Sequence, residues 1–516
     1  MSQDRAPDTS HSSAPRAAMG PWQRRLLVLL ALAALSGWQI SIFRGPFTFD
    51  PAYAIPSATT TTAPYLREFF YLYHYLGLFP VAVLAPGTAE SAKQAERNLR
   101  AGGQNVVNEI TNEIRRGENG RMWLFAPDAW LKGTAKGTSL RPGKLMFQLA
   151  AVLALFSGGV LARRPWLGLL LALLFGSDPF QLSHTLDSLR VLGVVLATWA
   201  IVMGLNLPLF LRPALDVRAS LAIAAASGAL LCVAREIRAD VASTLPVLLV
   251  LYALRRAPSL RERVALPLVL LAVYSMGSAA MGQYWDHKLD VALQTVEAHG
   301  GVPFPRPPLQ RHHEVWHPIA CGLGDFDRKH GFEWNDTKLF ARVMPKLQAT
   351  FPSPLPYSGG YYFDTYYEGN PLYPVRPSDF PAYHRIVRDL VVDTIASDPL
   401  WYAEILLRRA LRVATEVTPL ELRLRRAFSL PVPGFVLLVP VVLVLLLRRR
   451  RNELAVLALG ASPSATALLV HSAGGTCYLS VYHLVAAALA LEWALRHLVG
   501  AAARRLTGRE RPWRAR

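Results

Sequence analysis

Ten stretches of the chain carry almost no charged residue: 26–43, 145–162, 166–176, 191–211, 217–234, 241–254, 264–282, 431–447, 453–473 and 478–495. A helix rises 1.5 Å per residue, so about 20 apolar residues cross a bilayer core. Several of the ten meet that length alone, while 166–176 and 241–254 are short and need flanking residues. The pattern predicts an all-α polytopic membrane protein of about ten transmembrane helices.

Two long polar stretches interrupt the series. The first, 44–144, holds a Thr-rich turn at 59–62, an aromatic run at 69–75 and a polar helical run at 89–116. Its piece 66–86 is aromatic and broken by Gly77 and Pro80, which suits an interfacial or re-entrant helix better than a span. The second, 283–430, is dense in Pro, Gly and aromatic residues and closes in two expected helices, 382–395 and 400–426. In 400–426, Trp401, Ile405, Leu406 and Leu411 alternate with Arg408, Arg409, Arg412, Arg423, Arg425 and Arg426, so this helix is expected to lie on an anionic membrane surface. The expected organisation is a disordered cytoplasmic tail at 1–22 and a transmembrane core at 23–283 that includes the outer loop 44–144. A loop-rich extracytoplasmic domain, α+β or mostly α, follows at 284–430, then C-terminal transmembrane helices at 431–498 and a basic cytoplasmic tail at 499–516.

Composition agrees with the pattern. Of 516 residues, 52% are hydrophobic and 18% charged, too few charges to coat a soluble domain. The formal charge of +19 is a topology signal. With a cytoplasmic N-terminus and a crossing at every block, the inner connections hold Arg163 and Arg164, Arg212 and Arg218, Arg255, Arg256, Arg261 and Arg263, and the run from Arg448 to Arg451. Short cytoplasmic loops collect Lys and Arg in this way. Both termini are therefore expected in the cytoplasm, the protein in the cytoplasmic (inner) membrane, and no nucleic acid among its partners. Block 26–43 follows a basic stretch but ends in Trp38, Phe43 and Arg44 rather than a small-residue cleavage site, so it is expected to stay as an anchor. Of three cysteines, Cys321 and Cys477 share the outer side; unpaired thiols are expected in preference to a bridge. The sequence assigns no oligomeric state.

Ionisable residues avoid the predicted spans and gather at their outer ends: Asp50; Asp178, His184, Asp187 and Arg190; Arg235, Glu236, Arg238 and Asp240. Carboxylates there could deprotonate a hydroxyl, and arginine forks suit phosphate; helix-ending interfacial charge is the simpler reading of any one of them. The layout resembles the GT-C superfamily of membrane glycosyltransferases, which includes protein O-mannosyltransferases and the bacterial lipid A aminoarabinose transferase. Ser177-Asp178-Pro179 to Asp187-Ser188-Leu189-Arg190 looks like that family's third-to-fourth helix turn. The stretch from Gly228 to Arg235, followed by 242–254, looks like its unit of small-residue helix, basic residue and apolar helix. The resemblance covers about residues 23–283. It departs at Phe49-Asp50-Pro51, where the family often has paired acids, and at Gly474-Gly475-Thr476-Cys477-Tyr478, where Cys477 replaces a frequent Arg.

The resemblance implies that Asp50 is the base activating an acceptor hydroxyl; Asp178 and Asp187 are the catalytic candidates next in line for that role. It also implies that Arg190, Arg235 and Arg238 hold the phosphate of a polyprenyl-phosphate sugar donor. The expected function is transfer of that sugar to an envelope acceptor, with membrane lipids as further partners. A transporter or flippase, or a non-catalytic assembly protein, for envelope precursors is the alternative. Transporters place broken helices and polar residues at the midplane of repeated halves, and these features are weak here. No cofactor is expected, with one option kept open. His312-His313-Glu314-Val315-Trp316-His317, the stretch from Gly322 to Asp327 and His330 have the composition of a divalent-metal site, although their spacing matches no established pattern and their Gly and Asp equally suit turns. The tyrosines at 357, 361, 362, 366, 367 and 373, with Phe363, suit either sugar stacking or packing.

Overall fold

The computed structural model describes residues 20–44, 119–132, 139–186, 191–212, 215–255, 259–298, 315–351, 363–367, 370–375, 377–424, 427–470 and 476–507. It forms two bodies. The first contains one helix, α1 (Pro21–Arg44), an apolar rod of 24 residues opened by a proline and closed by an arginine. At 1.5 Å per residue it is about 36 Å long.

The second body begins, among described residues, with a 3-10 turn (Asn119–Phe125) running into α2 (Ala126–Lys132). A bundle follows: α3 (Arg141–Leu161), α4 (Pro165–Ser177), α5 (Pro179–Leu186), α6 (Leu192–Leu211), α7 (Val217–Ile237), α8 (Thr244–Leu254) and α9 (Leu260–Ala298). Then come α10 (Trp316–Leu323), α11 (Asp336–Gln348), strands β1 (Phe363–Tyr367) and β2 (Asn370–Val375), α12 (Pro381–Ser397) and α13 (Pro399–Thr415). The chain re-enters the bundle through β3 (Val417–Arg423) and β4 (Ala427–Pro433) into α14 (Gly434–Leu447), α15 (Arg451–Gly460), α16 (Ser462–Leu469) and α17 (Thr476–Thr507).

Among the described residues, five helices are long and apolar enough to cross a membrane: α1, α3, α6, α7 and the Leu260–Lys288 part of α9; the bent pair α4–α5 makes a sixth. By that length and composition the chain is a helical membrane protein.

Close packing in the bundle rests on small residues. A Cβ on Gly158 of α3 would fall on the carbonyl of Gly204 of α6, and one on Gly159 would meet the backbone of Gly168 in α4. Without a hydrophobic force between helices in lipid, backbone approach of this kind supplies the contact.

Three sequence expectations are corrected. The described part of block 453–473 holds two helices, α15 and α16, because Pro463 cannot continue α15: it lacks the N–H and its ring clashes with the preceding turn. Trp199 Nε1 donates to the Leu459 carbonyl at 2.9 Å and to Ser462 Oγ at 3.1 Å, satisfying groups freed by the break. Helix 400–426 ends at Thr415 instead; β-branched Val417 and Thr418 precede Pro419, which turns the chain to extended backbone. Antiparallel β3 and β4 pair from Val417↔Pro433 to Arg423↔Ala427. Arg409, expected on a lipid-facing basic surface, is fully buried: its Nε lies 3.6 Å from Asp325 Oδ2, and its Nη1 donates to the Leu468 carbonyl at 3.1 Å.

The segment from α10 to α13 has its own core. Leu339, Phe340, Val343 and Leu347 of α11 meet Tyr383, Val387 and Val391 of α12, spaced i, i+4, i+8, with Trp401 and Ile405 of α13. The tyrosine-rich tract supplies the β1–β2 hairpin, which pairs from Phe363↔Val375 to Tyr367↔Asn370.

At one end of the bundle, Arg164 between α3 and α4 meets two buried carboxylates. Its Nη1 is 3.1 Å from Glu453 Oε1 in α15, and its Nε is 2.8 Å from Glu492 Oε1 in α17. Arg496 adds a 2.9 Å contact to Glu492. At that end, too, Leu209 of α6, Leu254 of α8, Arg255 just after it and Arg451 of α15 line one cavity of about 590 Å³. Arg164→Met leaves buried Glu492 with half-exposed Arg496 as its cation and is expected to cost about 2–3 kcal/mol, seen as a lower midpoint for aggregation of detergent-solubilised protein on heating. Arg164→Met with Glu492→Gln should recover part of that loss; an Arg164→Met protein as heat-resistant as wild type would show that the cluster contributes no stability.

Candidate functional site

The opposite end of the bundle collects polar side chains that an apolar bundle has to account for. The 3-10 turn Asn119–Phe125 lies across the ends of α3 and α7. A Cβ on Gly120 would sit 3.0 Å from the Glu236 carbonyl oxygen, and one on Gly143 would strike the carbonyl of Leu124. Glycine is needed at both for backbone to meet backbone. Asp128 of α2, itself buried, ties this segment down by accepting from Ser139 N at 2.6 Å and Lys132 Nζ at 2.8 Å.

Two polar clusters sit at this end. In the first, between α3, α5 and α6, the buried Lys144 donates to the His184 carbonyl at 3.2 Å, and Gln181 donates to Gln148 at 2.6 Å and to the Gly193 carbonyl at 2.9 Å. Asp178 stands at the 53° bend between α4 and α5. Its Oδ2 accepts from Gln181 N at 2.8 Å, so it caps α5 and satisfies one of the orphan donors of that helix's first turn. In the second cluster, at the end of α7, buried Glu236 accepts from Trp285 Nε1 at 2.9 Å, and Trp285 stacks on Trp123 of the 3-10 turn at 6.2 Å. Half-buried Arg235 sits beside Glu236, and Arg238 Nε pairs with Asp240 Oδ2 at 2.6 Å. The second hairpin reaches the same end, where Arg423 N donates to Ser177 Oγ at 2.9 Å.

Of the six residues singled out for catalysis and phosphate binding, Asp178 belongs to the first cluster, and Arg235 and Arg238 to the second. Asp50, Asp187 and Arg190 lie outside the described residues, as do 66–86, 89–116 and the His312-His313-Glu314 start of the histidine-rich motif. Lys144, Gln148, Gln181 and Trp285 were not anticipated. A lysine and a glutamine one turn apart at the head of an apolar helix were the available signal.

The segment from α10 to α13 draws polar groups together as well. Asp327, flagged in the sequence, accepts from the backbone N–H of Lys329, His330 and Phe332 at 2.6–3.0 Å and from Trp401 Nε1 at 3.1 Å. Burial pushes its carboxyl up, but these donors together hold it below the ordinary 3.8. It shapes a turn. Asp398 caps α13 through Trp401 N and faces Lys329 and His330. On α10, His317 Nδ1 lies 2.6 Å from the hydroxyl of buried Tyr383, and its Nε2 lies 3.2 Å from Asp336 Oδ1 on α11. Cys321, one turn on, is 3.6 Å from the same oxygen. Burial, then the Asp336 charge, pushes its thiol up to about 12, so the metal-free cysteine is protonated at neutral pH and a poor nucleophile. Cys232 and Cys321 are both buried free thiols.

Hydrogen bonds from Lys329, then His330, hold the Asp398 carboxyl near about 2 against the ordinary 3.8. A depressed carboxyl stabilises the fold above its unfolded value and loses that contribution as pH falls through the folded one. Asp398→Asn keeps the cap but removes the charge. Between pH 4 and 2 its unfolding, followed by tryptophan fluorescence, should therefore fall less steeply than wild type; equal slopes would place the acid-sensitive group elsewhere.

Comparison with family models, with curated proteins and with solved structures gives no match, so the chemistry of these clusters rests on their own geometry.

Proposed function

We propose that the chain is a glycosyltransferase of the GT-C kind, moving a sugar from a polyprenyl-phosphate donor to an envelope acceptor on the outer face of the cytoplasmic membrane. In this reading the chain crosses the membrane ten times, with both termini in the cytoplasm. The arginine-rich connections around Arg164, Arg255 and Arg451 face the cytoplasm, and the segment from α10 to β4 is extracytoplasmic.

One observation carries the reading. At the end of the bundle opposite Arg164, which the 3-10 turn Asn119–Phe125 crosses, Lys144 and Asp178 stand in one polar cluster and Arg235, Glu236 and Arg238 in the other. A lipid-linked donor presents its phosphate at the membrane face with its chain in the hydrocarbon, and an arginine fork grips phosphate better than a point charge does. Arg235, Arg238 and Arg190 hold that phosphate, Asp50 is the base that takes the acceptor proton, and Asp178 and Asp187 are the accompanying carboxylates. Arg235 and Arg238 each have a carboxylate beside them: Arg238 shares charge with Asp240, and Arg235 lies next to buried Glu236.

The chemistry is tested with purified protein and a panel of polyprenyl-phosphate sugars. Asp50→Asn should cost on the order of a hundredfold in rate, with protein levels in the membrane unchanged. Arg235→Lys should raise the donor KM more than it lowers kcat. Asp178→Asn preserves the helix cap, so a loss of rate there would report the charge rather than the bend. Failure of wild type to turn over any lipid-linked sugar would sink the reading and favour a transporter or a binding protein.

The topology has its own test. Reporter fusions at 258 and 450 should read cytoplasmic and one at 350 external; a cytoplasmic reading at 350 would overturn the arrangement of sides.

A further inference from the structure

The three polar side chains that meet where α10 passes the start of α11 have no part in the proposed transfer chemistry. His317 and Cys321 stand one turn apart on α10, and in a helix residues at i and i+4 share a face. Asp336 is the first residue of α11, placed by the turn before it. Asn335 caps the helix by accepting from Lys338 N at 3.2 Å. A Cβ on Gly324 would strike the backbone of Glu333, so the end of α10 and the approach to α11 touch because residue 324 has no side chain. That contact delivers Asp336 to the His317–Cys321 face.

The three candidate donor atoms then form a small triangle: His317 Nε2 to Asp336 Oδ1 at 3.2 Å, Cys321 Sγ to Asp336 Oδ1 at 3.6 Å, and Cys321 Sγ to His317 Nε2 at 3.8 Å. Tetrahedral zinc bonds nitrogen and oxygen at about 2.0–2.1 Å and sulfur at about 2.3 Å, which sets nitrogen–oxygen edges near about 3.4 Å and edges to sulfur near about 3.6 Å. All three observed edges lie within a few tenths of an ångström of those values. The other ring nitrogen of His317 is held by the Tyr383 hydroxyl at 2.6 Å, the outer contact that fixes a ligating imidazole's tautomer and orientation. Cys321 and Tyr383 are buried, whereas the Asp336 side chain is about half exposed, so the triangle opens to solvent on one side.

We propose that His317, Cys321 and Asp336 bind one zinc-class divalent cation, with Tyr383 orienting the histidine and the fourth position left to water or an exogenous ligand. The cation takes the place of the thiol proton, which leaves to solvent, so sulfur binds as thiolate with no change of oxidation state. The donor set of one imidazole, one thiolate and one carboxylate suits Zn²⁺ over Ca²⁺ or Mg²⁺, which prefer oxygen alone. Three protein ligands with an open position are the arrangement of reactive rather than purely structural zinc sites.

The test uses the full chain in detergent, stripped with a chelator and titrated with Co²⁺ as a coloured substitute for zinc. One equivalent should bind per chain, with a near-ultraviolet thiolate-to-cobalt band and the visible bands of a four-coordinate ion, both displaced by Zn²⁺. Cys321→Ser should abolish the near-ultraviolet band, and Cys232→Ser should leave it intact. Tyr383→Phe should weaken zinc binding by about tenfold or more, the usual effect of losing an outer-shell partner. Asp336→Asn, at the exposed ligand, should weaken it at least as much, and it carries the test if Cys321→Ser fails to fold. Absence of stoichiometric cobalt binding, survival of the band in Cys321→Ser, or wild-type affinity in Asp336→Asn would each overturn the proposal and leave a hydrogen-bonded polar cluster. Since binding alone is read, the result is independent of any sugar transfer.

Discussion

A charge inside a helical bundle has to find an opposite charge or a carbonyl, because leaving it bare costs several kcal/mol. In this protein that constraint joins parts of the chain that are distant in sequence. Arg164 leaves the turn after α3 and is satisfied by Glu453 and Glu492, the latter 328 residues away. Arg409 runs from α13 to Asp325 before α11 and to the Leu468 carbonyl at the end of α16. The first ties the early helices of the bundle to its last ones. The second ties the segment with its own core to the bundle beneath it. Small-residue contacts bring the backbones of α3, α4 and α6 together, and Arg164 joins them to α15 and α17.

The architecture was legible wherever a single physical signal dominated. Long uncharged runs read as helices because nothing competes with apolar length, and α3, α6 and α7 lie where the pattern put them. The ends and breaks were harder. Pro179 bends one helix and Pro463 divides another, yet α6, α9, α11 and α14 each hold an internal proline without ending there, so the residue alone does not reveal its effect. The misread helix at 400–426 shows the same limit. An arginine-rich amphipathic pattern continued past Thr415 on paper, while Val417, Thr418 and Pro419 turned the backbone into a strand. Arg409 was counted with its exposed neighbours because a sequence shows charge but not the carboxylate that a distant turn supplies.

The polar sites were legible in part for a similar reason. Asp178, Arg235 and Arg238 could be found because charges at helix ends stand out against apolar runs. Gln181 beside Asp178, Gln148 bonded to Gln181, and Trp285 bonded to Glu236 could not, since neutral polar and aromatic residues are common in any helix. At the His317 cluster, the histidine and cysteine were both noticed, but separately. Their helical spacing joins them only once 316–323 is known to be a helix, and Asp336 enters only through the backbone contact at Gly324.

The Arg164 cluster also has a consequence in time. A ribosome delivers roughly 5–20 residues per second, so the 328 residues between Arg164 and Glu492 take roughly 16–66 s to make. Glu453 is made first, and throughout the interval Glu492, the more deeply buried of the two carboxylates, is missing from that end. That end of the bundle therefore stays incomplete until α17 is made, and a chain cut short before α17 would leave Arg164 with Glu453 but without the fully buried Glu492.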